Sequence, residues 1–432
     1  MTVAAFRGEI LSVPRDPLRE GEGAIRHFAD GLLVVEDGIV VACGHRTELA
    51  SRFAAVATEQ VAGMIVPGFV DTHVHYPQTQ AIAAYGSQLL DWLERHVFPA
   101  EAAFADRAVA DDAAAFFLDE LLRNGTTSAL VFATIHAGSV DALFEAACAR
   151  NMRIVSGKVL MDLGPRTLRD TAEGGRAESE ALIARWRGRG RIGYAVTPRF
   201  ALTSSDAQLE TAGALLAAHP DALLHTHLSE NRAEIAAVAD RFGAAADYLD
   251  VYDRFGLVGP RSVFAHCLHL EDRAMARLAE ARSGIAFCPT SNLFLGSGLF
   301  NLACADAHGI GIGIGSDVGA GTTFSILATL GEAYKVGQLQ GTRLDPFRAL
   351  HLATAGGAAI LGLSDRIGGL LPGQEADFVV LDAAATPLLA RRTEGRTLAE
   401  RLFALQILGD DRAIARTYVA GVIAHARNGA IR

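Results

Sequence analysis

The feature that most constrains this chain is the repeated alternation of short apolar runs with helical stretches through its middle. Strand candidates fall at 65–75, 127–132, 154–161, 192–197, 222–227, 262–266, 284–288 and 310–317. Helical patterns follow most of them, such as 108–123, 139–150, 178–187 and 206–218. Eight strand–helix units in about 280 residues match the size of a (β/α)8 barrel. A doubly wound open sheet is the structural alternative. It usually carries a Gly-rich phosphate turn after its first strand, whereas this first strand ends in His-Val-His. The alternating glycines of Gly309-Ile-Gly-Ile-Gly-Ile-Gly315 share one face of a strand. Such a bare face suits close backbone packing, and the run does not match GxGxxG.

Both ends of the chain read differently. Residues 34–36, Asp37-Gly38 and 39–42 have the pattern of a hairpin around a D-G turn. Residues 376–381 and 417–425 are β-rich, with Gly421 as a turn candidate. The expected fold class is therefore α/β: a TIM-type barrel over 65–366, with a small β-sandwich built from both termini, 1–64 and 367–432. Half the residues are hydrophobic and a fifth are charged, as in a globular protein with a large core. A formal net charge of -10 disfavours a nucleic-acid partner. Cys43, Cys148, Cys267, Cys288 and Cys304 are scattered, without a CxxC pair, which fits a reduced cytoplasm. No secretory h-region and no apolar run of transmembrane length is evident, so a membrane partner is not expected.

Chemistry concentrates where the strands end. The first strand finishes in PGFVDTHVH (67–75), placing His73 and His75 on one side of it. At the mouth of a barrel, neutral imidazoles are good zinc or iron ligands. The fifth strand ends in HTHLSE (225–230), where His227 is the better ligand candidate and His225 sits one layer deeper in a hydrogen-bonded role. Glu230, three residues on, suits a general acid/base. The sixth strand ends in His266, able to polarise water or hold a developing negative charge. The eighth ends in Gly315-Ser-Asp317, whose carboxylate can bind a metal and accept a proton from water. Each residue alone is more often structural, but their convergence at four strand ends points to metal-assisted hydrolysis. The H-x-E of His269-Leu-Glu271 carries little weight, because Cys288 has no partner cysteine nearby.

These segments resemble the amidohydrolase superfamily. More narrowly, HYPQTQAIAAYGSQLLDWLERHVFPAE (75–101), TPRFALTSS (197–205), HLSENRAEI (227–235) and FCPTSNLFLGSGLFN (287–301) resemble the guanine deaminase family within it. The resemblance implies one divalent ion per subunit, zinc first and iron second, on His73, His75, His227 and Asp317. It implies Glu230 as proton shuttle to the purine ring, Asp317 as base for the attacking water, and His266 orienting that water. Gln78 would hydrogen-bond the ring, Phe200 would stack on it, and Arg199 would face its O6 carbonyl. Guanine would give xanthine and ammonia, in a cytoplasmic homodimer. Some superfamily members bridge two metals with a carboxylated lysine on strand four. Lys158 lies on strand three here, so a single ion is expected, with Lys158 structural. In 88–95, Leu89, Trp92 and Leu93 could pack the core, while Leu90 or Trp92 could wall the pocket. The rival readings are an aminohydrolase of another purine, pterin, pyrimidine or s-triazine, and a barrel without catalysis serving as a scaffold.

Overall fold

A computed structural model describes residues 2–85 and 88–427. The ends of the expected terminal units, residue 1 and residues 428–432, lie outside the described residues, as do 86–87 within the resembling segment 75–101. Four strands open the chain: β1 (Val3–Ser12), β2 (Arg26–Glu36), β3 (Ile39–His45) and β4 (Thr58–Pro67). The middle contributes β5 (Phe69–His75), β6 (Thr126–Phe132), β7 (Arg153–Gly157), the short β8 (Val159–Leu160), β9 (Gly193–Pro198) and β10 (Leu223–Leu228). It continues with β11 (Ser262–His266), β12 (Gly284–Phe287) and β13 (Gly311–Ile314). The chain closes with β14 (Phe378–Leu381), β15 (Ile414–Val419) and β16 (Val422–Ala426).

Strands from both ends share one sheet, in the order β16-β15-β14-β4-β1-β2-β3. The β2–β3 hairpin turns at Asp37-Gly38, both at positive φ (48° and 84°), the conformation for which D-G turns are selected. The sheet curls back on itself. Val40 of β3 donates to the Gln374 carbonyl at 2.8 Å, just before β14. Phe6 on β1 and Phe378 on β14 meet with ring centroids 4.9 Å apart, although β4 lies between their strands. Phe378 in turn stacks on Tyr418 at 4.2 Å. This enclosed apolar face fits the sandwich expected from the two termini.

The middle strands run parallel in the order β5-β6-β7-β9-β10-β11-β12-β13, with β8 beside β9. Their side chains are buried on both faces, as near-continuous Val, Ile and Leu runs require. Helices between them start at side-chain caps: Asp106, Thr171 and Ser205 each accept a backbone N–H from the first turn. The ends of the row meet. Asp317 N donates to His73 O and His75 N to Val318 O, both at 2.8 Å, and the Thr72 hydroxyl donates to Ile314 O at 2.9 Å. The expected eight-stranded barrel therefore closes. The glycine run makes this approach feasible: a Cβ on Gly313 would lie 2.5 Å from the Thr72 methyl, and one on Gly315 would lie 2.9 Å from the His73 Cβ.

Three strand candidates depart from their expected bounds, and one of them, 154–161, splits into β7 and β8. The run 65–75 breaks at Gly68, where the chain leaves the terminal sheet for the barrel. Gly68 N bonds back to Asp377 O and Phe69 N bonds forward to Gly125 O. β4 thus runs past residue 64 to Pro67. The run 310–317 ends its ladder at Ile314, because 315–317 turn toward β5 with Asp317 at φ 51°.

The barrel floor is fastened to the terminal sheet by buried or half-buried charges. Arg153 Nε donates to Glu375 at 2.9 Å, Arg191 Nε to the same carboxylate at 2.8 Å, and Arg191 Nη1 to Asp377 at 3.0 Å. Burial raises the Glu375 pKa, but its two arginines outweigh that and leave it below its usual 4.5. Its contribution to stability is thus present above pH about 4.5 and is lost as pH falls through the lowered value. Glu375→Gln should lower stability by about 3 kcal/mol at pH 7, since it leaves Arg153 without its carboxylate and Arg191 with Asp377 alone. Denaturant melts at several pH values check this: the deficit should shrink below pH about 4.5.

Candidate active site

Parallel strands bring their C-terminal ends to one face of a barrel, and here those ends carry the chemistry. β5 supplies His73 and His75, β10 supplies His225 and His227, β11 supplies His266, and the turn after β13 supplies Asp317. The Nε2 atoms of His73 and His75 lie 3.2 Å apart, as do those of His75 and His227. Asp317 Oδ1 sits 3.1 Å from His73 Nε2 and 3.3 Å from His75 Nε2. Three ring nitrogens and one carboxylate oxygen thus converge on one small volume. Burial drives the imidazoles toward neutrality: His75 falls to about 3, His73 is lowered, and His227 is held well below its usual value. Neutral imidazole is the form that binds a metal, and the donor set suits a zinc-like ion.

The far side of each ring is also occupied. His73 Nδ1 lies 2.7 Å from His225 Nε2, His227 Nδ1 2.7 Å from the Arg199 carbonyl, and His75 Nδ1 3.0 Å from the Gln78 amide nitrogen. The first two contacts, in which an Nδ1–H can meet an acceptor, suit the fixing of ring orientation behind a metal site. His225 therefore lies in the deeper layer, where its sequence position put it. Cys288 also approaches His73 and Asp317 closely enough to join a ligand set. Burial holds its thiol well above the usual pKa, so it remains protonated. Lys158 is elsewhere, paired with Asp170 and, at 3.4 Å, with Glu178.

The two site carboxylates are pushed in opposite directions. Burial raises Asp317, but its contacts with His73 and then His75 outweigh that and hold the group well below its usual value. Burial, then the charges of Asp317 and Glu234, hold Glu230 well above its usual value. An ionised and a protonated carboxyl side by side are the acid–base pair that hydrolysis at a ring carbon needs. His266 stands between them, with Nε2 3.4 Å from Glu230 Oε2 and 3.8 Å from Asp317 Oδ2. Its Nδ1 lies 2.9 Å from Asn292 Oδ1. The backbone at these strand ends is unusual: Ser229, His266, Cys267 and Asp317 all have positive φ, between 51° and 71°. Conformations of this kind persist where the surrounding structure holds them, and they aim side chains that regular strands would not.

Beside this cluster opens a cleft walled by Leu89, Trp92, Leu93, Phe200, Leu295 and Ala320. Trp92 thus belongs to both the core and the wall, whereas Leu90 is not on the lining. Gln78 and Arg199 face the same cleft. Sequence reasoning missed three residues that hold the site. Glu101 accepts from Gln78 Nε2 at 2.9 Å and from Arg199 Nη1 at 2.5 Å. Asn292 anchors His266. Glu234 accepts the backbone N–H groups of Glu230 and Asn231 at 2.9 and 3.0 Å, capping the helix Arg232–Arg241. The capping-box spacing of Asn231 and Glu234 was a legible signal. For Glu101 and Asn292 the only signal was membership of the resembling segments.

The Amidohydrolase family profile matches residues 64–424. The chain is 51% identical to the guanine deaminase of Escherichia coli (strain K12), over 99% of each chain. The solved E. coli guanine deaminase superposes with a TM-score of 0.96 at 50% identity, covering 98% of this chain and 100% of that one. A guanine deaminase from C. acetobutylicum, solved with guanine bound in its active site, superposes at 0.90 with 28% identity, covering 98% and 100%.

His227→Ala should abolish stoichiometric metal binding, as measured by elemental analysis of purified protein. His225→Ala should keep the ion but weaken its affinity on the order of 10–100-fold, read by competition with a chelator.

Proposed function

We infer that guanine deamination is the activity of this chain, which belongs to the amidohydrolase family. Guanine and water give xanthine and ammonia. The observation that carries this reading is full-length likeness to guanine deaminases in both sequence and fold.

His73, His75, His227 and Asp317 would hold one divalent ion, zinc before iron. Such an ion would supply Lewis acidity that lowers the pKa of water from 15.7 to about 7, making a nucleophile available near neutral pH. Phe200 offers a flat face to the base, and Arg199 offers N–H donors to its ring carbonyl. Gln78 adds a further hydrogen bond to the ring. The apolar wall of Leu89, Trp92 and Leu93 excludes bulk water and strengthens these contacts. As water attacks C2, Asp317 takes its proton. Glu230, held protonated, gives its proton to the adjacent ring nitrogen. His266 steadies the oxygen as negative charge develops on it. Asp317 then delivers its proton to the departing amino group, which leaves as ammonia, while the remaining hydroxyl proton passes to Glu230 as the C2 carbonyl forms.

The same reading places the catalytic unit at 65–366 and a terminal β unit at 1–64 with 367–432. It also gives a homodimer working in the cytoplasm. The dimer is carried by the family resemblance. The compartment is supported by five cysteines that are all free.

Purified, metal-loaded protein should release ammonia from guanine with equimolar xanthine, and a chelator should stop it. Glu230→Gln should lower kcat by about 10²–10⁴-fold, in steady-state assays following xanthine absorbance. No ammonia from guanine would defeat this reading.

A further inference from the structure

The ion pair between Arg199 and Glu101 is among the most deeply buried in the protein. Their side chains are 2% and 1% exposed. Glu101 lies on the short helix Phe98–Ala102, which also supplies a ring beneath Arg199, its guanidinium carbon 5.2 Å from the Phe98 centroid. No other carboxylate pairs with Arg199 among the described residues. The two oxygens of Glu101 divide their work: Oε2 accepts from Arg199 Nη1 at 2.5 Å, and Oε1 accepts from Gln78 Nε2 at 2.9 Å. One carboxylate therefore grips both polar groups that face the cleft beside the acid–base pair.

Two physical consequences follow. A carboxylate paired with a guanidinium only accepts hydrogen bonds, so Gln78 must turn its amide N–H toward it, and the amide orientation is set from behind. A buried guanidinium facing a neutral base would otherwise lack a counter-charge, and an uncompensated buried charge is strongly unfavourable. Glu101 supplies that charge from the side away from the ligand. Arg199 can then present oriented donors to a neutral carbonyl without calling for an anionic ligand.

We propose that Glu101 is a positioning residue that sets specificity: it locks Arg199 and Gln78 into one arrangement that reads the ring carbonyl of a neutral oxopurine. This rests on guanine as the substrate of the same cleft. Glu101 touches neither the reacting carbon nor the His–Asp cluster, so its effect belongs in ligand recognition rather than in proton transfer.

The test uses Glu101→Gln, Arg199→Gln and the double variant, each loaded with metal and checked for metal content and thermal unfolding. Two inert competitors report on the carbonyl separately. Hypoxanthine carries it but has no amino group to lose, and purine carries neither. In Glu101→Gln, KM for guanine and the inhibition constant of hypoxanthine should both rise at least about 10-fold, the size of one lost charge-assisted contact. The purine constant and kcat should stay within about three-fold. Arg199→Gln should show the same pattern, and the double variant should be no worse than Arg199→Gln alone. If Glu101→Gln does not fold, the double variant, which leaves no unpaired buried charge, carries the test through its hypoxanthine-to-purine ratio. Equal weakening of both competitors, a loss confined to kcat, or additive effects in the double variant would overturn the proposal. Those results in variants of a wild type that turns over guanine count against Glu101 alone, whereas a wild type inert toward guanine removes the substrate reading itself.

Discussion

The last barrel strand meets the first through backbone bonds made by the very residues that carry the chemistry. Asp317 N donates to His73 O, and His75 N donates to Val318 O. Behind them Asp71 accepts from the Ser316 N–H at 3.0 Å and from its hydroxyl at 2.5 Å, deep in the barrel. Closure and ligand assembly are thus one event. A barrel left open at this seam would separate Asp317 from the two strand-one histidines. The glycines at the end of β13 and just beyond it matter for the same reason, since a methyl on Gly313 or Gly315 would hold the strands apart. A feature that looks like loose packing in sequence is the condition for a tight site.

Burial by the closed barrel then sorts the ionisable groups. His73, His75, His225 and His227 lose water and are held below the usual imidazole pKa, which favours neutral rings. The two carboxylates share this burial yet separate, because Asp317 has histidines around it and Glu230 has Asp317 and Glu234. The opposite shifts of Asp317 and Glu230 therefore arise from neighbours supplied by different strands. The same logic recurs at the cleft, where Arg199 is tolerable in an apolar wall because Glu101 stands behind it.

The parts legible in sequence were those whose signal is local. Alternation of strands and helices, the D-G hairpin, His-x-His at two strand ends and Gly-Ser-Asp at a third all depend on residues within a few positions of each other. His225 could be set behind His227 by strand periodicity alone. Strand limits were less legible: 65–75 looks continuous because both sheets want the same apolar residues, and only the switch of hydrogen-bond partners at Gly68 divides it. Glu101 and Asn292 stayed hidden because their roles are tertiary. Glu101 is 98 residues from Arg199, and Asn292 is 26 from His266. Neither spacing leaves a periodic trace.

We propose that barrel closure builds a one-ion site from His73, His75, His227 and Asp317. A crystal structure of the metal-loaded protein, with anomalous diffraction recorded at the metal's absorption edge, tests it most directly. The expected result is a single peak per chain, about 2.0–2.2 Å from the three Nε2 atoms and an Asp317 oxygen. A second peak, an ion held through Lys158 or Cys288, or an ion outside the barrel mouth would contradict it.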